Sequence, residues 1–196
     1  LTTAPQLEHL PPLTVPEVAF VGRSNAGKST CINTLTQQKQ LAFASKRPGR
    51  TQHINLFSLG KHGATDAVLA DLPGYGYAKV SRSDKVRWQQ VMVNYLVSRP
   101  GLTGIVLLCD PRLGLTELDE ALLEVLRPRV EEGLKFLIVL TKADKIKASE
   151  LAAVQAATEA EARKHVAAYP TVHATSAEKG MGIPELRSAI LFDSET

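Results

Sequence analysis

Long apolar runs are missing from this sequence. The longest are five residues, Ile105–Cys109 and Phe136–Leu140, whereas a membrane span needs roughly 20. No transmembrane helix is expected. Cysteine is scarce: Cys31 and Cys109 fall in segments that read as core, which excludes a domain stapled by disulfides and suits small core residues in a reducing cytoplasm. Residues 1–16 are proline-rich and carry neither Lys nor Arg, so they lack the charged end and continuous apolar stretch of a secretory leader. The five histidines show no metal-ligand spacing, and no metal is assigned to them. Nothing repeats at 20 to 50 residues, which sets solenoids aside. Acidic residues are absent from the whole stretch between Glu17 and Asp66. The net charge of +3 therefore hides an uneven spread. Residues 1–100 hold 12 Lys+Arg against 5 Asp+Glu, and residues 101–196 hold 11 against 15. One face is expected to meet a polyanion.

What is present is alternation. A chain of 196 residues suffices for one compact domain and not for two full-sized ones; residues 1–16 read as an extension and 17–196 as the domain. Short apolar runs predict strands at Glu17–Val21, Ile54–Leu59, Ala67–Asp71, Gly104–Asp110, Leu134–Thr141 and Thr171–Thr175. Helical patterns lie between most of them: Lys28 to about Gln37, Ser83–Ser98, the segment after Thr116, Ser149–Ala168, and a short last one opened by Pro184. After Thr116, Leu118, Ala121, Leu122, Val125 and Leu126 form the expected apolar face, with Glu117, Asp119, Glu120 and Glu124 opposite. The fold class is α/β, with a mainly parallel sheet and helices on both faces. The short Gly60–Gly63 connection predicts an antiparallel hairpin, which makes the sheet mixed.

Two stretches carry chemistry by their residues alone. Gly22, Arg23, Ser24, Asn25, Ala26, Gly27, Lys28 and Ser29 fit G-x-x-x-x-G-K-[ST] between a predicted strand and a predicted helix. Such a loop curls so that successive N–H groups and the positive end of the helix face phosphate oxygens. Lys28 would add charge at the β and γ phosphates, and Ser29 a hydroxyl to Mg²⁺. The second stretch is Thr141, Lys142, Ala143 and Asp144, at the carboxyl end of a strand, where open parallel sheets bind ligands. A carboxylate there can accept both N1–H and the exocyclic amine of guanine, a pairing adenine cannot make.

These stretches, together with Thr51 in Pro48–Gln52, Asp71-Leu72-Pro73-Gly74 and Thr175-Ser176-Ala177, have the order and spacing of the five motifs of Ras-like P-loop GTPases. More narrowly, Gly22–Ser29, Pro48–Gln52 and Asp71–Ala78 resemble the EngB (YihA/YsxC) family of bacterial GTP-binding proteins. The resemblance implies a three-layer fold and a GTPase acting in large-subunit ribosome assembly, needed for normal division and septation. It implies that Gly49, Arg50, Thr51, Gln52 and His53 flank the nucleotide, and that Thr51 joins Ser29 on Mg²⁺ when the γ-phosphate is present. Asp71 would hold the ion through a water, the Gly74 N–H would touch the γ-phosphate, and Thr175–Ala177 would close over guanine. Catalysis would rest on Lys28, Thr51 and Gly74.

Tyr75 stands where Ras-like enzymes place a water-orienting Gln, so slow hydrolysis completed by a partner is expected. A sensor of GTP against GDP with negligible hydrolysis, or a P-loop phosphotransferase, are the alternatives. Asn25 matches a position at which some related GTPases coordinate K⁺. Basic residues cluster beside the expected switch segments: Arg23, Lys39, Lys46, Arg47, Arg50 and Lys61, then Lys79, Arg82, Lys85 and Arg87. Ribosomal RNA or a large-subunit precursor is the partner that this charge and the resemblance imply, with the protein acting as a monomer and away from membranes. Trp88 reads as core, with stacking on a base as its other possible role.

Overall fold

The computed structural model describes residues 2–4, 14–42, 53–60, 65–76, 81–166 and 171–190. Seven strands make one sheet: β1 (Thr2–Ala4), β2 (Glu17–Gly22), β3 (Ile54–Leu59), β4 (Ala67–Asp71), β5 (Leu102–Cys109), β6 (Lys135–Leu140) and β7 (Thr171–Ala174). Their order in space is β1-β3-β4-β2-β5-β6-β7. Strands β4, β2, β5, β6 and β7 run parallel to one another. β3 is antiparallel to β4, as the short connection predicts. The helices are α1 (Lys28–Leu35), α2 (Arg82–Ser98), α3 (Glu117–Glu131), α4 (Ala148–His165) and α5 (Ile183–Ile190).

The side-chain period of two sorts the strands between two cores. Ala19, Val21, Ile105, Leu107, Ile138 and Leu140 pack with Tyr95 of α2, Leu126 of α3 and Ala162 of α4. Their neighbours Val18, Phe20, Val106, Leu108, Leu137 and Val139 pack with Ile32 of α1 and Leu186 of α5. Both faces of the central strands are thereby buried, which is why they read as continuous apolar runs. The expected three-layer α/β architecture with a mixed, mainly parallel sheet is present. Cys31 and Cys109 belong to opposite cores and are free thiols.

Three expectations are revised. Residues 2–4 of the extension join the sheet as an edge strand antiparallel to β3. Helix α1 stops at Leu35, two residues short of Gln37, whose φ of 56° is left-handed. The buried face of α3 is rotated: Asp119 is only 2% exposed and lies in line with Leu122, Leu123, Leu126 and Val130, while Leu118 and Val125 are 38% and 40% exposed. The reason lies outside the helix. Asp119 closes a capping box, accepting from the Thr116 N–H at 2.9 Å and the Thr116 hydroxyl at 2.8 Å, and it also takes a hydrogen bond from Tyr75.

Candidate functional site

The site is built at the carboxyl ends of the parallel strands. Chain leaving β2 at Gly22 turns through Arg23–Gly27 into α1, with Ala26 N–H donating to the Arg23 carbonyl at 3.1 Å and Cys31 N–H to the Gly27 carbonyl at 2.9 Å. Gly27 holds φ 90°, a conformation L side chains resist. The result is a tight curl that opens α1 at Gly27 with no side-chain cap, so the first-turn amides of the helix lack intrahelical acceptors, an arrangement suited to anions. Lys28 is buried, and its ammonium pairs with the Asp71 carboxylate at the end of β4. Ser29 is partly buried in the first helical turn. Its hydroxyl and the Asp71 carboxylate are oxygen donors, the set a hard divalent ion such as Mg²⁺ takes, so the residues present fit that ion.

The segment Asp71–Gly76 is stitched to this loop. Leu72 N–H donates to the Phe20 carbonyl at 3.2 Å, Tyr75 N–H to Gly22 at 3.3 Å, and Ser24 N–H to the Tyr75 carbonyl at 2.8 Å. Gly74 lies so close that a Cβ there would stand 3.1 Å from the Ser24 Cα and N. The Tyr75 side chain is engaged by α3 rather than by a loop group. It is 7% exposed, and its hydroxyl donates to Asp119; burial, then the Asp119 charge, push that phenol well above its ordinary range.

On the other side, Thr141 follows β6 and its hydroxyl donates to the Ala26 carbonyl, with the Cys109 carbonyl 3.2 Å away. The Lys142 ammonium donates to the Asn25 carbonyl at 2.8 Å and stands 3.6 Å from Asp110. Hydrogen bonding from Arg112 holds the Asp110 carboxyl down at about 2. Ala143 N–H donates to the Thr175 carbonyl at 3.0 Å, and Thr175 N–H to Leu140 at 2.8 Å. The Ser176 hydroxyl donates to Asp144 at 2.6 Å and accepts from the Lys179 N–H at 3.2 Å. That bond, then Lys145 at 3.1 Å, holds the Asp144 carboxyl below its usual range. Each carboxylate oxygen keeps a lone pair for a further donor. A cleft of about 220 Å³ opens here between Thr30, Lys142, Asp144, Lys145 and Ala177.

Gly22–Ser29, Asp71–Gly74, Thr141–Asp144 and Thr175–Ala177 are thus brought to one rim. Gly49, Arg50, Thr51 and Gln52 lie outside the described residues, and so do Lys46, Arg47, Lys61 and Lys79. His53 is exposed just before β3, and no described hydrogen bond joins it to the loop. The helical period puts Asp119 on the outward face of α3, and nothing in the sequence shows its bond to Tyr75. The Thr116-x-x-Asp119 capping box was a visible signal for the cap, though not for the tyrosine.

Residues 17–142 match the protein family described as "50S ribosome-binding GTPase". The probable GTP-binding protein EngB of Acidovorax ebreus is 82% identical, over 78% of this chain and 70% of its own length. That of Burkholderia pseudomallei is 47% identical, over 96% of this chain and 87% of its own. Among solved structures, a probable GTP-binding protein EngB superposes with TM-score 0.66 at 25% identity, covering 89% of this chain and 96% of the other. Era, solved with MgGDPNP and nucleotides 1506–1542 of 16S ribosomal RNA, superposes with TM-score 0.68 at 25% identity over 90% of this chain and 56% of its own.

Proposed function

The chain belongs to the EngB family of GTP-binding proteins, and from that membership we propose that it is a GTP-driven switch acting on precursors of the large ribosomal subunit. It binds guanine nucleotides and is a GTPase. The observation that carries the switch reading is the joint between Asp71–Tyr75 and the phosphate loop, where backbone bonds tie the two segments and Gly74 touches Ser24. Drawing the Gly74 N–H toward a γ-phosphate moves a segment whose position is fixed by only a few hydrogen bonds, and hydrolysis releases it again.

In this reading the loop amides and α1 receive the phosphates, and Lys28 supplies a full charge to the β and γ oxygens. Ser29 and Asp71, joined by Thr51, would hold Mg²⁺, which neutralises charge on the same oxygens when bound. Asp144 selects guanine, held in place by Ser176 and Lys145. With the Tyr75 side chain committed to Asp119, no residue at that position orients water, so turnover alone is slow and a partner surface completes the site. Asn25, left-handed at φ 66° and exposed, is the residue we assign to K⁺.

The ribosomal partner is supported by the family's description and by the basic residues of α2. The cytoplasm, the monomeric state and the role in division and septation are proposals of the same kind. No described helix is long and apolar enough to cross a membrane. Single-turnover hydrolysis with and without large-subunit precursor particles tests the reading. Acceleration on the order of tenfold or more is expected, and an unchanged rate would contradict completion of the site by the partner.

A further inference from the structure

A second cleft, of about 260 Å³, lies between the Gly74–Tyr75 segment, α2 and the start of α3, away from the cleft at Asp144. Lys85, Trp88, Gln89 and Met92 line it from α2, and their i, i+3, i+4, i+7 spacing turns them to one side of the helix. Trp88 and Met92 are buried core residues with one edge in the cleft, Tyr75 forms another wall, and Leu118 stands at the mouth, part-exposed. The walls are mostly aromatic or apolar, with Lys85 and Gln89 at the rim.

Charge decides what such a cleft would take. Helix α2 carries Arg82, Lys85 and Arg87 against Asp84 alone, and Asp84 is engaged by the capping Ser81, whose hydroxyl is 2.6 Å from its carboxylate. Among the described residues none of the three cations has an ion-pair partner. From α3 only Leu118 lines the opposite rim, and Glu120 lies beside Glu161 and His165 of α4 instead. An anionic chain must therefore run along the α2 side, leaving the apolar slot for something flat attached to it. A nucleotide of a single strand is that combination, whereas duplex bases are stacked away from reach.

We propose that the cleft between Tyr75, Trp88 and Leu118 receives one unstacked base of a single-stranded RNA segment, with its flanking phosphates against Arg82 and Lys85, which share the cleft side of α2. This rests on the ribosomal reading above and gives it a contact point. Because Tyr75 is bonded through its backbone to Gly22 and Ser24, the bound base touches the residue that joins the switch segment to the phosphate loop.

Trp88 is the only tryptophan, so its emission reports on the cleft directly. The full chain, loaded with GDP or a non-hydrolysable GTP analogue, is titrated with a short unstructured RNA. Emission is followed together with the anisotropy of a label on the RNA. Quenching with the same midpoint as the anisotropy is expected, with affinity falling as salt rises and differing between the two nucleotides. Leu118→Glu and Lys85→Glu should each weaken RNA binding about tenfold, with melting temperature and GTP affinity unchanged. RNA binding with Trp88 emission and both variants unaffected would overturn the cleft assignment and leave the ribosomal reading standing. Loss of ribosomal-particle binding in Leu118→Glu, without any effect on RNA, would make the occupant a protein side chain and overturn the proposal. No binding to RNA or to particles in either nucleotide state would remove the ribosomal reading, and this proposal with it.

Discussion

Replacing Tyr75 by Phe removes one hydroxyl from the interior and leaves the ring that packs there. The hydroxyl donates to Asp119, a residue almost wholly out of water. One carboxylate oxygen keeps the Thr116 N–H and hydroxyl, at 2.9 and 2.8 Å, so the α3 cap survives; the other loses its donor. A hydrogen bond to a charged, buried acceptor contributes about 1.5–3 kcal/mol net, and for a chain of this size that lowers Tm by about 3–12 °C. Calorimetric or circular-dichroism melting measures it, at fixed GDP because bound nucleotide raises Tm by mass action. Asp119→Asn and the double variant complete a cycle in which a coupling of about 1 kcal/mol or more is expected. The same variant separates structure from chemistry. Since the hydroxyl is committed to Asp119 and bonds no group of the phosphate loop, saturating single-turnover hydrolysis should stay within a few-fold of the parent. A Tm shift under about 1 °C with no coupling, or a hydrolysis loss of about a hundredfold, would refute the placement of this side chain.

Asp144→Asn should reduce GTP affinity by about a hundredfold or more and shift preference toward xanthine nucleotides, because a site built on polar pairing rejects the mismatched base by up to ~10⁴; competition binding with labelled GDP decides it, and unchanged GTP affinity would remove the base assignment. Turnover in K⁺ buffer should exceed turnover in Na⁺ buffer if Asn25 holds a cation, and equal rates would eliminate that role. Burial pushes the Cys31 thiol up to about 12 and the Cys109 thiol well above its usual range, so thiolate is scarce at neutral pH. An aromatic disulfide reagent should label neither in the native protein and both after unfolding; rapid native labelling would contradict their placement in the two cores.

The parts of the fold legible in the sequence are those whose cause is local. Gly27 and Lys28 announce an anion-binding turn because the backbone conformation and the charge are properties of those residues. The β3–β4 hairpin follows from a connection too short for a crossover. The strands of the two cores read as apolar runs because both faces are buried. What sequence reasoning misplaced depends on distant partners. A helical period alone puts Leu118 and Val125 inside and Asp119 outside; Tyr75, 44 residues earlier in the chain, turns the helix by giving the carboxylate a buried donor. Thr2–Ala4 has no pattern of its own and becomes a strand only because β3 offers an open edge. The cleft at Asp144 stood in between. Asp144 was visible as a carboxylate at a strand end, but its bond to Ser176 joins two segments that only the β6–β7 pairing brings side by side.

Co-sedimentation with ribosomal subunits, in GDP and in a non-hydrolysable GTP analogue, tests the switch most directly. The chain should pellet with large-subunit particles in the GTP analogue and be released in GDP, with the bound fraction falling as salt rises. Equal recovery in the two nucleotides, or no recovery with the large subunit in either, would contradict a γ-phosphate-controlled contact.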